Sequence, residues 1–185
     1  MVDLADALSG LHRGPVIGPR DASYDRARTT FNALIDARPA AITRPVGSDD
    51  VATSVTFARE HGLPVSVRGG GHSVAGHSVG DESVMIDLRL LRQVHVDPDA
   101  LTAEVDGGCC WNDVDASTQA YGLAMPGGTY GDTGVAGLTL TGGIGHLIGA
   151  FGLTLDNLAS AEVVTASGRV VTASPDLEPD LFWAL

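Results

Sequence analysis

Three consecutive glycines, Gly69 to Gly71, followed at once by His72, constrain this chain more than any other stretch of its 185 residues. They close a short apolar run, Val65 to Val67, whose β-branched residues lie between Pro64 and Gly69 and read as a buried strand. Glycines in series give up side-chain contacts and cost backbone entropy. They suit a turn that needs positive φ or a ligand lying directly against the backbone. Bare N–H groups at a strand end can cradle a phosphate. A mobile glycine turn accounts for the same residues, and the three glycines alone leave both readings open.

Composition narrows the choice. The chain has 24 glycines and no collagen period or low-complexity tract to absorb them, so they belong to specific loops and favour a glycine-built binding site. The formal net charge is −12, and every basic side chain is arginine. This argues against nucleic acid and against an anionic membrane as partners, since both need a basic face. The missing lysine excludes a Walker-type phosphate loop and a lysine Schiff base. Phosphates on a ligand would have to be met mainly by backbone N–H groups. Cys109 and Cys110 are adjacent, so a bridge between them would be badly strained and no disulfide scaffold is expected. Met1 to Leu11 carries Asp3 and Asp6, lacks the basic start and apolar core of a signal peptide, and no stretch approaches a membrane span. The expectation is a soluble, cytoplasmic protein.

Along the chain, Leu4, Leu8 and Leu11 predict an amphipathic helix ending near Gly10, followed by an irregular lead-in segment with a strand or turn around Phe31 to Ile35. Residues 1–40 are expected to be this lead-in, and residues 41–185 the main domain, with lobes over 41–80 and 81–185. Ala41 to Thr43 predicts a strand, Ser48 a helix cap ahead of Asp49 and Asp50, and Val51, Val55 and Ala58 the apolar stripe of a helix ended by Gly62. With the strand at Val65 this makes a parallel βαβ unit and puts the glycine loop at the carboxyl end of a strand, where ligands sit in such units. Further strands are predicted at Ser83 to Leu88, Gln93 to Val96 and Leu101 to Val105. A helix is predicted over Trp111 to Tyr121, a hairpin over Ala161 to Ala173 around Ser167 and Gly168, and a terminal loop and helix from Pro175. A second glycine-rich stretch runs from Pro126 to Gly145.

The ordered set RGGGHS (Arg68 to Ser73), GHS (Gly76 to Ser78), PGG (Pro126 to Gly128), GVAGLTL (Gly134 to Leu140), GGIG (Gly142 to Gly145) and DNL (Asp156 to Leu158) resembles the FAD-binding domain of the vanillyl-alcohol oxidase (PCMH) type, in the berberine-bridge-enzyme-like FAD-linked oxidoreductases. The similarity spans roughly Ala41 to Leu185. It implies an α+β, two-lobed domain, a small parallel βαβ lobe plus a larger antiparallel sheet flanked by helices, holding FAD between the lobes. The pyrophosphate would lie on Gly69, Gly70, Gly71, His72 and Ser73. Further cofactor contacts are implied at Arg68, Gly76, His77, Ser78, Pro126, Gly127, Gly128, Thr129, Thr133, Gly134, Gly137, Leu138, Gly142, Gly143, Gly145, Asn157 and, near the adenine, Val163.

His72 matches the histidine that bonds covalently to the flavin in many members, and a neutral imidazole is a competent nucleophile for that. The bland reading is a histidine donating a hydrogen bond in a tight loop. A metal site with His77 lacks a third ligand and helical spacing, so no metal is expected. Tyr130 stands where many relatives carry a second, cysteinyl flavin bond, which implies a single tether. Thr141 replaces a usual glycine and His146 a position that is often aromatic. The resemblance further implies a separate substrate domain after the stretch DLFWAL, supplying the catalytic base. This chain is expected to be a piece lacking it, with Phe182 and Trp183 at the interface. The expected function is the FAD domain of an oxidoreductase taking a hydride from an alcohol, sugar or phenolic small molecule and passing electrons to oxygen or another acceptor. The alternatives are a non-catalytic or partner-dependent flavin module, or a degenerate fragment without flavin.

Overall fold

The computed structural model describes residues 4–185, so the first three positions of the predicted N-terminal helix lie outside the described residues. Helix α1 covers Leu4–Ser9 and buries Ala5 and Leu8, while Leu11 is 63% exposed and leaves the apolar stripe one turn early. The lead-in segment holds two elements that its mixed Pro, Gly and Arg content hides, strand β1 (Val16–Ile17) and helix α2 (Tyr24–Arg28). Phe31 to Ile35 forms turns without a strand.

Strands β2 (Ala41–Thr43), β3 (Val65–Arg68) and β4 (Val84–Asp87) form a sheet with β1 in the order β1-β2-β4-β3, with β1 antiparallel to β2 and the other neighbours parallel. Helix α3 (Ser48–Glu60) connects β2 to β3. The βαβ unit is therefore split: β4 sits between its two strands, and the first lobe extends past residue 80. Val84 to Asp87 is buried along its whole length, as a central parallel strand covered on both faces must be. Alternation divides the core. Ala41, Val84 and Ile86 meet Leu8, Phe57 and Ala58 on one face, and Ile42 and Met85 meet Ile17, Tyr24, Ala27 and Val79 on the other. Ser48 does not cap α3; Gly47 is the N-cap, and the Ser48 hydroxyl bonds Glu162 instead. Asp50 ties the helix start down by accepting from Val46 N at 3.0 Å and from Arg13 Nε at 3.0 Å.

The second lobe has the α+β character expected, with its antiparallel strands as two separate ribbons in place of one larger sheet. These are β5 (Val94–Asp97) with β6 (Thr102–Val105), and β7 (Ala161–Val164) with β8 (Val170–Ala173). Helix α4 (Trp111–Gln119) packs on the first ribbon around a core of Cys109, Trp111, Val114 and Val135. Short helices α5 (Val135–Thr139), α6 (Ile148–Phe151) and α7 (Pro179–Trp183) complete it. The β7-β8 ribbon docks on α3, where Arg59 Nη1 reaches the Ala166 carbonyl at 3.3 Å. Among the described residues no helix is long and apolar enough to cross a membrane.

Candidate functional site

The end of β3 is fixed from below. Arg68 is 1% exposed; its Nη1 donates to the Thr29 carbonyl at 2.7 Å, and its Nη2 to Asp87 Oδ2 at 2.8 Å and to the Ala27 carbonyl. Burial pushes the Asp87 carboxyl up, but hydrogen bonds from Arg89 and Arg68 outweigh it and hold the group down at about 2. The sequence places Arg68 among the cofactor contacts. The structure corrects this for the side chain: both Nη groups are engaged inside the protein, with Nε buried and unpartnered among the described residues, and Arg68 anchors the loop that follows.

That loop then turns over the second lobe. A Cβ on Gly70 would overlap the N and Cα of Gly134, and one on Gly69 would lie 2.9 Å from the Gly107 carbonyl oxygen, so two glycine loops touch backbone to backbone. Gly71 takes φ 77° and its carbonyl accepts from Phe31 N at 3.1 Å. Among the described residues, the N–H groups of Gly70, Gly71, His72 and Ser73 find no protein acceptor. His72 is half-buried, stacked on Phe31 with ring centroids 4.6 Å apart and planes 15° apart, and its Nε2 lies 3.7 Å from Asp132 Oδ2. Ser73 turns inward to close the loop, its Oγ accepting from His77 N at 3.1 Å and its carbonyl from Gly76 N at 3.2 Å. Gly76 (φ 83°) lies against Ile35, His77 is exposed, and the buried Ser78 hydroxyl has no partner.

The second glycine stretch is laid over α4. Trp111 N donates to the Thr133 carbonyl at 3.1 Å and Val135 N to the Cys109 carbonyl at 2.9 Å, which pins Gly134 beside Gly70. Gly127 and Gly128 rest on the buried Trp111 ring, where any side chain would collide, and the Trp111 Nε1 donor has no partner among the described residues. A Cβ on Gly145 would overlap the Gly127 carbonyl oxygen, and Gly143 (φ 79°) is walled by Thr154 and Leu138. Gly137 and Thr129 face open space, and Gly142 takes φ 101°. The structure thus links Gly69–Gly71 and His72 to Gly134 and Thr133 on one side, and Gly127, Gly128, Leu138, Gly143 and Gly145 to one another on the other, through close contacts around Trp111 and Gly134. Two further predicted residues have partners of their own. Asn157 Nδ2 braces a turn by donating to the Phe151 and Leu153 carbonyls at 2.9 and 2.8 Å, and Val163 lies in the ribbon docked on α3.

Thr141 leaves the surface free by turning back on α5, its Oγ1 donating to the Gly137 carbonyl at 2.9 Å, while Tyr130 is 73% exposed. Burial and the nearby Asp113 push the Cys109 thiol up to about 11, and burial also raises Cys110, so neither offers a thiolate near neutral pH. Phe31 and Asp132 escape sequence reasoning. Each is an ordinary loop residue in the chain and becomes part of the site only because the fold carries it to His72.

Residues 39–174 match the family described as FAD binding domain. The chain is 38% identical over 173 residues to (R)-6-hydroxynicotine oxidase of Paenarthrobacter nicotinovorans, covering 94% of this chain and 38% of that protein. The solved structure of 6-hydroxy-D-nicotine oxidase from Arthrobacter nicotinovorans superposes with a TM-score of 0.92 at 38% identity, over 94% of this chain and 38% of that one. Glucooligosaccharide oxidase from Acremonium strictum, described with a 6-S-cysteinyl, 8α-N1-histidyl FAD, superposes with a TM-score of 0.89 at 31% identity, over 98% and 38%. The chain thus spans about two fifths of the length of these relatives. The residues present fit FAD: four successive N–H groups, from Gly70 to Ser73, have no protein acceptor among the described residues, as a pyrophosphate held by backbone requires, and the His72 imidazole stands in the same loop.

Proposed function

Because this chain belongs to the FAD binding domain family, we propose that it is the flavin-holding part of an oxidoreductase whose substrate is a small alcohol, sugar or phenol. The observation that carries the reading is the backbone contact of Gly70 with Gly134, which joins the two glycine loops into one cradle. FAD, when bound, supplies a ring that accepts a hydride and returns electrons to oxygen or another acceptor. The chain's residues bind and orient it. Gly70, Gly71, His72 and Ser73 offer N–H groups to the pyrophosphate, and Arg68, locked to Asp87, keeps their strand end from shifting. The glycines from Gly127 to Gly145 give the remainder a flat backbone bed.

His72 is assigned as the covalent tether. Phe31 holds the imidazole plane, and Asp132, within ion-pair range of Nε2, favours the tautomer with its proton on that nitrogen. Nδ1 then keeps its lone pair as the nucleophile. A histidyl linkage is also named for the glucooligosaccharide oxidase, and with Tyr130 in place of a second tethering residue a single bond is proposed here. The test is His72→Ala, followed by acid precipitation. Flavin should move from pellet to supernatant while the chain stays folded; flavin retained in the pellet would remove His72 from this role. The names of the relatives, oxidases of a nicotine derivative and of oligosaccharides, support an oxidase acting on a small molecule. Substrate choice is assigned to parts of the whole protein that lie outside this chain.

A further inference from the structure

We propose that the cleft walled by Arg26, Arg44, Arg89 and Arg92 is a second anion site, built for a small phosphorylated molecule and separate from the glycine cradle. The cleft has a volume of about 500 Å³, within the range of small-ligand sites, and is completed by Ser23, Ala27 and Leu90. It lies at the carboxyl ends of parallel strands, since Arg44 directly follows β2 and Arg89 stands two residues beyond β4. Ligands collect at that edge of an open α/β sheet. None of the lining residues belongs to either glycine stretch.

Charge makes the cleft exceptional in this chain. Four of the eleven arginines line it in a protein of net charge −12, and among the described residues no carboxylate does. Arg44 and Arg89 lean on Asp87 from behind, at 3.1 and 2.8 Å, and that carboxylate also serves Arg68. Arg92 is matched by Asp113 at 2.7 Å, and Arg26 makes no ion pair among the described residues. Arg44, Arg68 and Arg89 therefore share one carboxylate, and with the unpaired Arg26 the formal excess is three positive charges.

The pairing also orients donors. Arg44 and Arg92 each engage their carboxylate through Nε, and Arg89 through Nε and Nη2. The two Nη groups of Arg44 and of Arg92, Nη1 of Arg89 and the whole Arg26 fork are left without a protein acceptor among the described residues. Guanidinium forks fixed from several sides suit a tetrahedral anion, whose three free oxygens point in different directions. The negative field of the remaining surface turns away long polyanions and leaves a compact one.

The test is calorimetric titration of the purified, flavin-loaded chain with inorganic pyrophosphate at low ionic strength, beside the Arg26→Ala/Arg92→Ala double variant. Arg26 and Arg92 are chosen because removing them leaves the Asp87 cluster whole. The inference expects one site per chain, binding weakened at least tenfold in the double variant, and unchanged flavin content there. Absence of binding, equal affinity in the double variant, or tighter binding of citrate than of pyrophosphate overturns it. So does loss of flavin from the double variant, which would make the cleft part of the flavin site.

Discussion

Asp87 joins the two anion-facing regions of the molecule, because one fully buried carboxylate serves Arg68 under the glycine loop and Arg44 and Arg89 at the cleft. Replacing it with Asn keeps the shape but leaves Arg68 charged and nearly solvent-free, and the loss of one partner of a buried pair typically costs about 3–5 kcal/mol. Chemical denaturation of Asp87→Asn should show a drop of that size. The same carboxyl gives a pH signature. Its value falls from an ordinary 3.8 to about 2 on folding, so the stabilisation, on the order of 2 kcal/mol, is present above pH ~4 and lost as pH falls toward ~2. The acid limb of a stability profile should flatten over that window in Asp87→Asn. At His72, Phe31→Ala removes the ring it stacks on and Asp132→Asn removes the carboxylate charge 3.7 Å from its Nε2. Each should lower the covalently bound flavin fraction several-fold at a fixed incubation time, read by acid precipitation, without abolishing reversible binding.

Among elements, the two glycine loops matter as a pair. Gly134→Ala would insert a Cβ where the Gly70 backbone already lies. Overpacking of that kind costs about 1–3 kcal/mol, and flavin affinity should fall with it, measured by thermal shift and by quenching of flavin fluorescence. This contact also marks the limit of what the sequence reveals. Glycine runs, helix α3, both ribbons and the carboxyl-end position of the loop could be read from local pattern, since each depends on neighbours in the chain. The insertion of β4 between β2 and β3 could not, because a run such as Val84 to Asp87 is equally apolar wherever it pairs. Helix α2 was hidden by its brevity and its arginines, and the cap of α3 falls one residue before the expected one, so that Ser48 is helical and its hydroxyl bonds Glu162, far away in the chain. For the same reason Phe31, Asp132 and the arginine cleft become legible only when the fold brings distant residues together.

At the scale of the whole molecule, the sheet lobe and the ribbon lobe meet through the glycine contacts at one end and through β7 and β8 on α3 at the other. A ligand held between the two glycine loops should therefore stabilise both lobes at once. At a free FAD concentration one hundred times the dissociation constant the gain is about 2.7 kcal/mol, seen as one cooperative transition moving to higher temperature. An acidic, lysine-free chain can hold a dinucleotide because the cradle works through backbone N–H groups and needs no basic side chain on the phosphates. The most direct measurement of that claim is the visible absorption spectrum of the purified chain, repeated on its acid-precipitated pellet. The account predicts a flavin spectrum that stays with the pellet and moves to the supernatant in His72→Ala. A colourless chain that also takes up no added FAD would contradict it.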